Sequence, residues 1–119
     1  MRAYALRFAG SLALALAATQ AFAHAQLEKS IPAVGSTVSA PSELRLDFSE
    51  GVEPKFSKVT LTGPSGAVPT GALAVEGSEK TELVVPLGKP LAPGAYKVQW
   101  RATSVDSHHT QGTFGFSVK

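Results

Sequence analysis

The stretch AYKVQWRA, Ala95–Ala102, sets Tyr96, Val98 and Trp100 at alternate positions with Lys97, Gln99 and Arg101 between them. In an extended chain successive side chains point to opposite faces, so this octet has one apolar and one polar face. A helix would scatter the same residues around its circumference. The segment therefore predicts a half-buried antiparallel strand.

The same period recurs on both sides. ELRLDFSE (43–50) sets Leu44, Leu46 and Phe48 against Arg45 and Asp47, and TELVVPLG (81–88) alternates Leu83, Val85 and Leu87. FSKVTLTG (56–63) does so with Val59 and Leu61 before a turn at Gly63-Pro64-Ser65-Gly66, and GTFGFSV (112–118) with Phe114, Phe116 and Val118. Weaker strands near Gln26–Ser30 and Gly71–Val75 bring the total to about seven, and no segment carries a helical repeat. This pattern predicts one all-β domain, an immunoglobulin-like β-sandwich, with a small barrel as the alternative. The chain has no cysteine. Stability must then come from the core, to which Phe48, Trp100, Phe114 and Phe116 are expected to contribute most.

Residues 1–23 have a different character. Arg2 and Arg7 precede an apolar run from Phe8, and Ala21-Phe22-Ala23 has the small-x-small form of a cleavage site. This order predicts a secretory signal peptide. A membrane anchor is the other reading, but the run is shorter than the roughly 20 residues that a span needs. Ala23-His24-Ala25 would also serve as a cleavage site and would discard His24. Cleavage after Ala23 leaves residues 24–119 as the mature domain. Loss of Arg2 and Arg7 brings the 11 Lys+Arg down to nine, equal to the 9 Asp+Glu. A chain of zero net charge has no general attraction for nucleic acid or anionic lipid, and neither is expected as a partner.

The chain has three histidines, His24, His108 and His109. In SVDSHHTQG (104–112), an extended backbone would point Asp106 and His108 to one side, and Ser107 and His109 to the other. Asp-x-His then offers an oxygen and an imidazole to a metal, although a solvated turn is the plainer reading of so short a motif. His24 adds weight. As the first mature residue it presents an α-amine and an imidazole Nδ1 that close a six-membered chelate ring. With His108 and Asp106 the set is three nitrogens and one oxygen, which suits tetragonal Cu(II). Other chemistries fare worse. Asp106, Ser107 and His108 are too close in sequence to converge as a hydrolytic triad, and Ser104 lacks a nucleophile-elbow context. Glu50 and Glu53 as a glycosidase pair have no sugar platform beside them.

Two long stretches carry a resemblance. LAPGAYKVQWRATSVDSHHTQGTFGFSV (91–118) and HAQLEKSIPAVGSTVSAPSELRLDFSEGVE (24–53) resemble the C-terminal and N-terminal hallmarks of the CopC family of periplasmic copper-resistance proteins. The resemblance implies a Greek-key, cupredoxin-like β-sandwich or barrel. It also implies a Cu(II) site built from His24, Asp106 and His108, with Glu50 axial or touching the ligands and His109 at most an outer contact. Some family members hold Cu(I) on a Met-rich segment. Here the only methionine is Met1, so one Cu(II) per chain and no tight Cu(I) site are expected.

The resulting expectation is a periplasmic, non-catalytic and monomeric Cu(II) carrier or sequestering protein. A CopD-like inner-membrane protein is the partner that the resemblance implies, with no direct membrane binding. The alternative is an oxidative copper enzyme with a histidine brace, which would need an open coordination position and a flat aromatic surface. A metal-free adhesion or chaperone sandwich would leave the histidines without a role.

Overall fold

A computed structural model describes residues 24–119, and the leader expected over residues 1–23 lies outside the described residues. Among the described residues there are nine strands: β1 (Leu27–Ile31), β2 (Thr37–Val38), β3 (Glu43–Phe48), β4 (Lys58–Gly63), β5 (Gly66–Val68), β6 (Ala74–Glu76), β7 (Glu82–Pro86), β8 (Gly94–Thr103) and β9 (His109–Val118). They form a four-stranded sheet in the order β1-β3-β7-β6 and a five-stranded sheet in the order β2-β9-β8-β4-β5. All pairings are antiparallel except β2 with β9, and the chain repeatedly crosses from one sheet to the other. This is the expected sandwich. The two strands missing from the sequence reading, β2 and β5, have two and three residues, too few for alternation to register.

Alternation becomes burial directly. In β8, Tyr96, Val98, Trp100 and Ala102 face the core, as do Leu44, Leu46 and Phe48 of β3 and Val59 and Leu61 of β4. Phe48 meets Trp100 edge to face at 5.2 Å, and Tyr96 stacks on Phe116 at 5.5 Å. The first contact joins the two sheets without a disulfide, and the second braces β8 against β9 within one sheet. Phe114 is only partly buried, and Phe56 lies 70% exposed in a 3₁₀ turn, Pro54–Phe56. The outer face of the four-stranded sheet is tied differently. Arg45 reaches Glu43 at 2.6 Å, Glu76 at 2.9 Å and Glu82 at 3.1 Å.

Gly112 pairs with Trp100 across β8 and β9. A Cβ there would lie 2.7 Å from the indole ring, so the ring can cover the strand only if this residue has no side chain. Gly112→Val should destabilise the domain by about 1–3 kcal/mol through overpacking. Thermal unfolding followed by the fluorescence of Trp100 checks this, and an unchanged midpoint would contradict it.

Candidate metal centre

The loops at one end of the sandwich gather the predicted ligands. β8 and β9 run as a ten-pair hairpin that closes at Thr103 and His109. Beyond it the chain turns tightly: Ser104 N–H donates to His108 O at 2.8 Å, and Ser107 N–H to Ser104 O at 2.8 Å. Ser107 adopts a φ of 76°, which reverses the backbone. Asp106 and His108 do meet, with Nδ1 and Oδ1 3.1 Å apart. They meet because of the turn, however, and not because alternate residues of a strand share a face. The extended reading of this stretch is corrected accordingly.

Ser104 is the residue that sequence reasoning undervalued. Only 1% exposed, it donates its hydroxyl to Asp106 Oδ1. Its importance shows only in the structure, where the alternation of β8 ends and Ala102, Thr103 and Ser104 are buried in succession. The Ser104 hydroxyl, and after it His108, hold the Asp106 carboxyl below the usual aspartate range. Since an ionised carboxylate only accepts, His108 Nδ1 is the donor in their contact. This depressed pKa contributes stability at pH values above that of an ordinary aspartate. The contribution is lost as the pH falls through the lowered value. Ser104→Ala should move the Asp106 titration upward, toward the ordinary range, as read by carboxyl ¹³C NMR. An unmoved midpoint would contradict the assignment.

His24 reaches the same place from the other sheet. Ala25 is 1% exposed and plugs the core, while its carbonyl accepts from Thr110 Oγ1 at 2.8 Å. Gln26 and Ser49 exchange two bonds of 2.8 Å, from Gln26 N–H to Ser49 Oγ and from Ser49 N–H to Gln26 O. These ties hold the residue just before them, exposed His24, so that its ring meets His108 edge to face, with centres 4.5 Å apart.

Glu50 stands apart from this group. It is half-buried in the loop after β3 and has no hydrogen bond to His24, Asp106 or His108 among the described residues. Gly51 next to it packs too closely for any side chain: a Cβ would stand 2.7 Å from Glu79 O and 3.2 Å from Val105 Cγ1. Its carbonyl accepts from Val105 N–H at 2.9 Å, which fastens the Glu50 loop to the Asp106 turn. His109 turns to the outer face of its sheet and bonds Thr103 instead. Among the described residues, no three His, Cys, Asp or Glu side chains already enclose a common point. The structure thus pairs His24 with His108 and His108 with Asp106, and leaves Glu50 outside the group.

Residues 27–119 match the family model of the CopC domain. The chain is 40% identical to Protein YobA of Escherichia coli (strain K12) over 120 residues, covering 98% of this chain and 97% of that protein. It is 38% identical to Copper resistance protein C of Escherichia coli over 109 residues, 86% of each chain. The crystal structure of PcoC, a methionine-rich copper resistance protein from Escherichia coli, superposes with a TM-score of 0.73 at 37% identity. That match covers 82% of this chain and all of PcoC. The two named copper proteins are resistance proteins by name, which gives the oxidative-enzyme alternative no support. On the match of residues 27–119 to that family model and the identity with these relatives, the chain belongs to the CopC domain family.

Proposed function

We propose that the chain is a periplasmic carrier or sequestering protein for copper, and that it binds one Cu(II) ion at His24, Asp106 and His108. The observation that carries the reading is the spacing of these three side chains. Two imidazoles bound to one ion at a right angle, through bonds of about 2.0 Å, hold their ring centres about 4.5 Å apart. The His24 and His108 rings stand 4.5 Å apart. Adjacent N and O ligands at such bond lengths are about 2.8 Å apart, and His108 Nδ1 lies 3.1 Å from Asp106 Oδ1. A cation entering between these two atoms replaces the proton that now joins them. The amine and Nδ1 of His24 complete the set once the leader is removed after Ala23. The reading gives Glu50 an outer role, as an axial donor or a contact to one of the ligands, supported by the bond that fastens its loop to the Asp106 turn at Gly51 and Val105.

Copper in this reading is cargo, and no catalytic step is assigned. The protein acts as a monomer and exchanges copper with a CopD-like protein of the inner membrane. Support for the oxidation state comes from the donors: nitrogen and oxygen at the site, no cysteine anywhere, and a single methionine at position 1.

Titration of the exported protein with Cu(II), followed by electron paramagnetic resonance, should saturate at one ion per chain. A competitor dye should remove Cu(I) readily. Two bound coppers, or strong retention of Cu(I), would overturn the single-site reading. Affinity should fall steeply below about pH 6, because imidazole and amine protons compete with the metal. An affinity that stays flat down to about pH 5 would contradict a nitrogen-rich site.

A further inference from the structure

His109 is the histidine that the proposed centre leaves unused. It opens β9 opposite Thr103, with Nδ1 3.0 Å from the Thr103 hydroxyl oxygen. Thr103 is 7% exposed, and its hydroxyl also lies 2.7 Å from the carbonyl oxygen of Phe56. A carbonyl only accepts, so the single hydroxyl proton goes to Phe56. Toward the ring, Thr103 can then only accept, and Nδ1 must carry the proton. In the neutral ring this leaves Nε2 with a bare lone pair. A free imidazole divides between two tautomers, whereas this one is set by a buried threonine before any ligand arrives. The ring is exposed and belongs to the residue directly after His108.

We propose that His109 is a transit ligand for copper: its outward Nε2 takes up Cu(II) on the way into or out of the centre at His24, Asp106 and His108. The inference rests on the function proposed above and extends it to exchange of the ion. As a Cu–N bond forms at Nε2, one bond between copper and the donating molecule breaks. Copper remains Cu(II), and the neutral ring gives up no proton, since its one proton sits on Nδ1. A single imidazole holds the ion weakly compared with a chelate. Its effect therefore falls on the rate of exchange and leaves the final affinity alone.

His109→Asn separates this role from a structural one. The asparagine amide N–H stands close to where Nδ1 was and can keep the bond to Thr103, while Nε2 is gone. The exported protein and this variant are mixed with Cu(II) bis-glycinate in a stopped-flow instrument, and each is also titrated to equilibrium. Loading of the variant should be about tenfold slower, a change well within the range over which association rates vary among variants of one site. Its equilibrium affinity and unfolding temperature should match those of the parent. An unchanged loading rate would overturn the proposal and make His109 only a pin for the hairpin. An affinity loss as large as that of His108→Ala would also overturn it, because His109 would then be a resident ligand. A parent protein that takes up no Cu(II) overturns the proposed function, and this inference with it. Long-range ¹H–¹⁵N NMR of the metal-free protein should show a protonated His109 Nδ1 and a bare Nε2. The opposite tautomer would remove the premise.

Discussion

An initiator methionine placed directly before His24 should lower Cu(II) affinity about a hundredfold or more, equivalent to about 3 kcal/mol. The extra residue turns the His24 amine into a peptide nitrogen, a poor donor at neutral pH, and the six-membered chelate ring is lost. Everything else that positions the ring stays: Ala25 in the core, Thr110 on its carbonyl, and the paired bonds between Gln26 and Ser49. The fold should therefore be unchanged, and the loss should appear only in binding. Exported and Met-extended forms, their N-termini confirmed by mass, are each titrated with Cu(II). Equal affinities would show that the cleavage boundary plays no part in metal binding.

The second large effect is expected in the core. Phe48 is 2% exposed and meets Trp100 edge to face between the two sheets. Phe48→Ala removes this contact and opens a cavity, with an expected loss of about 3–5 kcal/mol. For a domain of this size, stabilised by roughly 5–15 kcal/mol in total, that is a large share. Urea unfolding measures the change. A loss below about 1 kcal/mol would mean that the core collapses around the gap far more readily than its packing suggests. Phe48 also directly precedes Ser49, which ties Gln26 beside His24. The same substitution should weaken copper binding, and a stabilising osmolyte should restore part of it.

The contrast between sequence and structure follows from the range of the interactions involved. Tyr96, Val98 and Trp100 were legible because strand alternation is local, and burial on one face follows from it at once. Thr37–Val38 and Gly66–Val68 were not, because strands of two and three residues exist only through the neighbour they pair with. At the candidate centre, the residue types pointed to a metal before any contact was known. Their arrangement was a different matter. An extended chain would set Asp106 and His108 on one face, whereas a turn with a positive φ at Ser107 does the pairing. The positioning roles of Ser104, Ser49 and Ala25 are not legible in the sequence, because a serine or an alanine carries no such signal until its burial and partners are known. Phe114 departs in the other direction: strand alternation assigns it to the core, yet it is only partly buried at the edge of that cluster.

Paramagnetic broadening reports where the ion sits. Substoichiometric Cu(II) added to the exported, ¹⁵N-labelled protein should erase amide signals from residues 24–26, 49–51 and 104–108. Signals from the opposite end, at the Gly63–Gly66 turn and in the segment from Leu87 to Ala92, should persist. Broadening centred instead on the carboxylates around Arg45, at Glu43, Glu76 and Glu82, would contradict a copper site built on His24, Asp106 and His108.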